Sequence, residues 1–126
     1  MQGRIVVVED DEMTRETIIL LLEHRGYEVS SSATGKDLIQ LVTSFEPHLV
    51  LLDINLGELN GRDICRDFKQ DPILCSIPII ITSGEDDLYN SIPFEGANDV
   101  LLKPFEETAL ISRIERQLEN CKHSQV

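Results

Sequence analysis

Short runs of apolar residues constrain the fold of this chain more than any other feature. Residues 5–8 are all β-branched, residues 48–52 form a second run in which only His48 is polar, and residues 77–81 form a third apolar run. Runs of this length are typical of strands that other elements cover on both faces. Weaker strand segments are predicted at residues 28–31 and 100–102. The sequence therefore predicts five strands, the strongest of which are buried.

Stretches with helical spacing separate these strands. One apolar helix face is visible in the i, i+3, i+4, i+7 spacing of Leu38, Leu41, Val42 and Phe45. Further helices are predicted over residues 13–25, 61–71 and 85–95, and from residue 106 onward. Pro93 should shorten or kink the helix over 85–95. Because parallel strands need helical crossovers, repeated strand–helix units of about 25 residues predict an α/β fold with a doubly wound, five-stranded parallel sheet.

Length and composition favour a single globular domain. The chain has 126 residues, of which 41% are hydrophobic, so it is neither disordered nor long enough for two large cores. We expect the domain to cover residues 4–120, with residues 121–126 as a C-terminal tail or the start of a lost linker. No apolar run approaches the roughly 20 residues that span a bilayer, and no signal-peptide pattern opens the chain. A cytoplasmic protein without a membrane partner is the expectation.

The charge balance narrows the possible partners. The formal net charge of -12 argues against binding nucleic acid through this domain, because phosphate backbones are repelled by such a field. The same charge suits divalent cations or proteins with basic surfaces. The three cysteines and three histidines are scattered without metal-ligand spacing, so neither a zinc site nor a disulfide framework is indicated.

Polar and charged residues follow the predicted strands. In an open α/β sheet, ligands bind beyond the carboxyl ends of the strands, where the strand order reverses. If the strand order is 2-1-3-4-5, the residues that converge there are Glu9, Asp10, Asp11, Asp53, Thr82, Ser83 and Lys103. Clustered carboxylates need a counter-charge, and Mg²⁺ prefers carboxylate and water oxygens. The carboxylates of Glu9, Asp10 and Asp53 contribute -3, which Mg²⁺ and Lys103 together balance.

Each of these residues also has a simpler explanation. The acids at 9–11 suit a helix N-terminus, where they cap free amides and interact favourably with the dipole. Asp53 could be a turn residue, Thr82 an ordinary strand residue and Lys103 a solvated cation. Their coincidence at one edge of the sheet favours a shared site over four separate explanations.

The combined pattern resembles the receiver domain of two-component response regulators, which has a flavodoxin-like fold. The matching segments are Val8-Glu9-Asp10-Asp11, Leu52-Asp53-Ile54-Asn55, Thr82-Ser83, Gly96-Ala97-Asn98-Asp99 and Lys103-Pro104-Phe105. The match spans almost the whole chain in the family's order and spacing. Each segment alone is a weak signal, and the combination is specific.

The resemblance implies a phosphorelay function. Asp53 would take a phosphoryl group from a phosphohistidine on a sensor histidine kinase or a histidine phosphotransfer protein. Asp10 would bind Mg²⁺ directly, Glu9 through water, and Asn55 through its backbone carbonyl. The chain would be no enzyme beyond its own phosphorylation and dephosphorylation. A downstream protein effector would receive the signal, and two copies of the chain could also form a homodimer through their last helices.

The resemblance also assigns roles on the neighbouring strands. Lys103 would pair with a phosphoryl oxygen, and its bond to Pro104 would be cis. Thr82 would move to hydrogen-bond the phosphoryl group. The usual aromatic residue that turns inward with this movement is replaced by Val100, so ring rotation cannot report phosphorylation here. Gly57 stands where proline is common, which predicts a more mobile loop after the acceptor.

Two other classes of protein remain open at this point. A phosphohydrolase of the haloacid dehalogenase type also uses a strand-end aspartate, Mg²⁺ and a lysine. That family has a second aspartate two residues after the nucleophile, where this chain has Asn55. The other alternative is a non-phosphorylated interaction module, which usually lacks one of the residues Asp10, Asp53 or Lys103. A flavin-binding protein is disfavoured because acids replace the phosphate loop after the first strand.

Overall fold

The computed structural model describes residues 3–57, 59–84 and 97–124. In chain order the elements are β1 (Gly3–Val8), α1 (Glu12–His24), β2 (Tyr27–Ser32), α2 (Leu38–Phe45), β3 (Leu49–Asp53), β4 (Asn55–Leu56), β5 (Leu59–Asn60), α3 (Gly61–Gln70), β6 (Ile79–Ser83), β7 (Asp99–Leu102) and α4 (Glu107–Ser124).

Five strands form one sheet in the order β2-β1-β3-β6-β7. Every neighbouring pair in it is parallel. Counted along the chain, these main strands have the order 2-1-3-4-5, which confirms the predicted doubly wound α/β fold. The order reverses between β1 and β3, so the crevice that such sheets use for ligands lies at the carboxyl ends of these two strands.

Apolar side chains cover both faces of the sheet. On one face, Val42 of α2 and Phe68 of α3 pack against the same side of the strands as Val6. On the other face, Leu22 of α1 and Ile114 of α4 pack beside Val7. Adjacent strand residues therefore enter opposite layers of the core, which explains why the central strands have no polar face.

The fourth main strand starts later than predicted. Residues 77–81 were expected to be extended, whereas β6 covers Ile79–Ser83. The N–H of Ile77 donates to the carbonyl of Leu74 in a turn, at 3.0 Å. Pro78 has no N–H to offer, although its carbonyl accepts from Val50 at 3.0 Å. β6 can therefore form hydrogen bonds with both neighbouring strands only after Pro78.

Two further features were not expected. β4 and β5 form a small antiparallel hairpin directly after β3. α4 continues to Ser124, past the domain boundary predicted at residue 120. The predicted helix over 85–95, with Pro93, lies outside the described residues. In the part of the chain that the structure describes, no helix is long and apolar enough to cross a membrane.

Candidate functional site

Four neighbouring strands carry the predicted site residues at one edge of the sheet. Glu9 and Asp10 follow β1, Asp53 is the last residue of β3, Thr82 lies near the end of β6, and Lys103 follows β7. Asp53 and Thr82 are register partners on adjacent strands. The parallel topology thus brings together residues that are far apart in the sequence.

Three carboxylates in this group have the spacing of a metal site. Glu9, Asp10 and Asp53 each offer one oxygen, and these oxygens lie within 4.8 Å of one another. Glu9 and Asp53 are only 2% and 4% exposed, whereas Asp10 is exposed. Mg²⁺ is bound in proteins by one or two carboxylates together with other oxygen ligands. The donor chemistry of the cluster therefore fits this ion.

Lys103 connects the two buried acids. Its Nζ lies 2.6 Å from Oε1 of Glu9 and 3.0 Å from Oδ2 of Asp53. Its backbone N–H donates to the carbonyl of Ser83 at 2.7 Å, and this hydrogen bond holds the backbone of Lys103 beside β6. The peptide bond between Lys103 and Pro104 is cis, the isomer that the resemblance implies. The side chain predicted to neutralise a phosphoryl group therefore already contacts the predicted acceptor.

Burial and the contacts among Glu9, Asp53 and Lys103 shift the pKa values of Glu9 and Lys103. The pKa of the Glu9 carboxyl is raised to about 7, first by burial and then by the hydrogen bond and charge of Asp53, while Lys103 opposes the change. Burial lowers the pKa of the Lys103 ammonium, but its contacts with Glu9 and Asp53 outweigh burial, and the net pKa is raised. Lys103 therefore stays charged, and the acids still carry excess negative charge. A divalent cation would relieve it.

Both oxygens of Asp53 are oriented. Oδ1 accepts a hydrogen bond from the backbone N–H of Asn55 at 3.1 Å, and Oδ2 contacts Lys103. The N–H of Ile54 donates to the carbonyl of Thr82 at 3.0 Å, which ties the loop after β3 to β6. The carboxylate is therefore held between its own loop and the end of the neighbouring strands.

Gly61 brings the start of α3 against the backbone of Asp53. Its N–H donates to the carbonyl of Ile54 at 2.7 Å. A Cβ at this position would overlap the carbonyl oxygen of Asp53 and lie 2.6 Å from Cα of Ile54. The sequence predicts Gly61 only as the first residue of the helix over residues 61–71. The close approach of two backbones has no signature in the local sequence.

Asp11 has a different role from the two acids before it. Its Oδ2 accepts hydrogen bonds from the backbone N–H and the hydroxyl of Thr14, at 2.9 and 2.6 Å, and caps α1. These hydrogen bonds lower the pKa of the Asp11 carboxyl. The helix-cap explanation thus holds for Asp11, while Glu9 and Asp10 belong to the carboxylate cluster.

Arg15 was not singled out in the sequence. It lies on α1 and is half-buried, and its Nη1 donates to the backbone carbonyl of Glu9 at 2.9 Å. An arginine near the acidic start of a helix gives no sequence signal for a contact of this kind, because most arginines in such a position are accounted for by surface ion pairs.

The two switch positions are buried. Thr82 is 2% exposed and stands in register between Asp53 on β3 and Leu101 on β7. Val100 is 5% exposed and is the register partner of Ile81 within the apolar layer. An aliphatic side chain therefore fills the place that the resemblance assigns to a mobile aromatic ring.

The strand order and the strand-end carboxylates define a doubly wound α/β protein with an acidic site at its switch point. Comparison with known proteins agrees with this description. The family model described as response regulator receiver domain matches residues 5–115. The chain belongs to this family and is a receiver domain of two-component signalling.

Individual relatives give the same result. The chain is 35% identical over 117 residues to the response regulator ArlR of Staphylococcus saprophyticus, covering 91% of this chain and 52% of that protein. It is 32% identical over 125 residues to the cell cycle transcriptional regulator CtrA of Caulobacter vibrioides, covering 97% and 53%. The chain thus spans about half the length of these curated relatives.

A solved structure extends the comparison to three dimensions. A response regulator receiver domain protein from Clostridium thermocellum superposes with a TM-score of 0.86 at 29% identity, covering 95% of this chain and 97% of that one. Fold and family therefore agree over nearly the whole chain.

Proposed function

We propose that Asp53 accepts a phosphoryl group from a phosphohistidine in a reaction that depends on Mg²⁺. Asp10 would bind the ion directly, Glu9 through water, and Asn55 through its backbone carbonyl. The observation that carries the proposal is the position of Lys103, within 2.6 Å of Glu9 and 3.0 Å of Asp53. A cation shared by two buried carboxylates is the arrangement expected where further negative charge is to be received.

In the transfer itself, an oxygen of Asp53 attacks the phosphorus atom. A phosphorus–oxygen bond forms, the phosphorus–nitrogen bond to histidine breaks, and its electron pair stays on the imidazole nitrogen, which takes a proton from solvent. The Asn55 N–H and the Lys103 ammonium orient the attacking carboxylate. Bound Mg²⁺ supplies positive charge near the phosphoryl oxygens, where positioning and charge neutralisation supply most of the catalysis.

Two residues respond to the new group. Lys103 exchanges one carboxylate contact for a phosphoryl oxygen, and Thr82 donates its hydroxyl to another. Val100 cannot report this change by ring rotation, so the output depends on the backbone that follows Thr82. The domain catalyses only its own phosphorylation and dephosphorylation.

The partners follow from the same chemistry. A sensor histidine kinase or a histidine phosphotransfer protein is the donor, and a protein effector receives the signal. The net charge of -12 supports a function without nucleic-acid contact through this domain. Pairing of two copies is a further form of output. The haloacid dehalogenase alternative is not favoured, because the position of its general acid holds Asn55.

The test uses acetyl phosphate as a small phosphoryl donor. We expect the intact mass of the chain to increase by one phosphoryl group in the presence of Mg²⁺. The increase should be absent in Asp53→Asn and absent when EDTA removes the metal. Asp11→Asn is the matched control, because this neighbouring acid caps α1 and should leave phosphorylation intact. No increase in the wild type with Mg²⁺, or an unchanged increase in Asp53→Asn, would contradict the proposal.

A further inference from the structure

The backbone carbonyl of Glu9 lies just beyond the end of the parallel ladder. β1 ends at Val8, which is in register with Ser32 on one side and Leu52 on the other. The N–H of Glu9 still donates to Ser32 at 3.1 Å, but its carbonyl accepts from Nη1 of Arg15 at 2.9 Å. Buried peptide groups need hydrogen-bond partners. At this point the side chain of Arg15 supplies the donor that a neighbouring strand supplies within the sheet.

Arg15 makes this contact in surroundings that offer other partners. Asp11, Glu12 and Glu16 are close to it in the sequence and are exposed. Within residues 3–57, 59–84 and 97–124, no ion pair of Arg15 is found, and its guanidinium is directed to the carbonyl of Glu9. The planar, rigid arrangement of guanidinium donors suits the fixing of a carbonyl group better than a flexible ammonium does.

The carbonyl that Arg15 contacts belongs to the peptide bond between Glu9 and Asp10. We propose that Arg15 is a positioning residue of the carboxylate cluster. By holding this peptide plane, Arg15 sets the direction in which the side chains of Glu9 and Asp10 extend from the backbone. The inference rests on the proposed Mg²⁺ binding, and Arg15 acts through the backbone without being a ligand.

Removing Arg15 has two opposed effects on a bound cation. Loss of a positive charge near the acids would strengthen cation binding. Loss of the hydrogen bond would free the peptide plane and so weaken cation binding, because groups that orient metal ligands contribute to the affinity for the metal. The sign of the change in Mg²⁺ affinity therefore separates positioning from a purely electrostatic role.

The experiment measures the dissociation constant of Mg²⁺ by calorimetric titration of the intact chain. We expect Arg15→Met to weaken Mg²⁺ binding by about tenfold. Arg15→Lys keeps the charge and can still donate to the carbonyl, but its ammonium is more flexible, so it should recover only part of the affinity. Arg25→Met is the matched control on the far end of α1, where the arginine pairs with Glu107 at 3.0 Å. It should bind Mg²⁺ like the wild type.

The outcomes are distinguishable. Unchanged or tighter Mg²⁺ binding in Arg15→Met would overturn the positioning role and leave the proposed function in place. Absence of Mg²⁺ binding in the wild type would overturn the metal site itself, and this inference with it. Weakening in Arg25→Met equal to that in Arg15→Met would also overturn it, because the effect would not depend on the Glu9 carbonyl. If Arg15→Met does not fold, Arg15→Gln replaces it in the same comparison.

Discussion

Glu9 and Asp53 are carboxylates that share a buried site, and Lys103 lies between them. Two such acids without a cation would repel each other and raise each other's pKa. The contact with Lys103 lowers the pKa of Glu9, but burial, together with the hydrogen bond and charge of Asp53, outweighs it, and the pKa stays raised at about 7. At the scale of single residues, Lys103 offsets part of the negative charge, and the rest is left for a metal ion to neutralise.

Gly61 leads to a prediction at the same scale. We expect Gly61→Ala to lower the free energy of unfolding by about 1–3 kcal/mol, because the new methyl group would displace backbone in a packed region. The displaced atoms belong to Asp53 and Ile54, so phosphorylation by acetyl phosphate should also slow. Urea unfolding and intact mass against time measure the two effects.

The control for this substitution is Gly84→Ala. Among the residues that the structure describes, a Cβ at Gly84 would have no atom within 4 Å, so the stability of this variant should stay within about 0.5 kcal/mol of the wild type. Equal stability and equal phosphorylation rates in the two variants would contradict the close approach of α3 to the acceptor backbone.

At the scale of elements, the amino ends of β1 and β3 are joined to the end of α2. The Nε of Arg4 donates to the carbonyls of Phe45 and Glu46, at 3.1 and 3.0 Å, where α2 terminates. Glu46 has a φ of 53° and forms the left-handed cap of that helix. The N–H of Arg4 donates to Nδ1 of His48 at 2.9 Å. One cation and one imidazole therefore connect a helix to two strands, on the opposite edge of the sheet from the carboxylate cluster.

The imidazole of His48 makes this junction sensitive to pH. Burial and then the charge of Arg4 lower the pKa of His48. The unfolded chain, with a histidine pKa of about 6.5, therefore binds the proton more readily than the folded chain. The stability that the neutral ring contributes is present above pH 6.5 or so and is lost as pH falls through the lower folded-state pKa. Protonation also removes the lone pair that accepts from Arg4.

We expect the difference in unfolding free energy between wild type and His48→Asn to change with pH. The asparagine oxygen can replace Nδ1 as an acceptor and does not titrate, so the wild type should lose stability relative to this variant as the solution is acidified from pH 8 toward about pH 5. Urea unfolding across this range measures it. A difference between wild type and His48→Asn that does not change with pH would contradict the explanation.

Predictability from the sequence also differs between elements. The buried strands were predictable because burial on both faces leaves continuous apolar runs, and the topology then placed Asp53 beside Asp10. The hairpin of β4 and β5 has only two residues in each strand, which is too short to leave a periodic pattern. The contacts of Arg15 and Gly61 were not predictable, because both are made with backbone atoms, which carry no residue-specific signal.

At the scale of the whole molecule, a net charge of -12 acts on the compact state by self-repulsion. Any salt should reduce this repulsion, because exposed charges are screened over about 10 Å at 0.1 M ionic strength. A specific cation site adds a second, distinct contribution. An ion bound only by the folded chain stabilises it by about 2.7 kcal/mol at roughly 100 times its dissociation constant.

These two contributions can be separated by comparing NaCl with MgCl₂ at equal ionic strength. We expect both salts to raise the melting temperature and MgCl₂ to raise it further, because Mg²⁺ would also occupy the proposed site at Glu9, Asp10 and Asp53. Asp10→Asn should respond to NaCl like the wild type and lose the additional effect of MgCl₂. Asp37→Asn, an equal change of charge at an exposed position outside the cluster, should retain it. If the salts act equally on the wild type, the acids contribute only to the general field of the molecule.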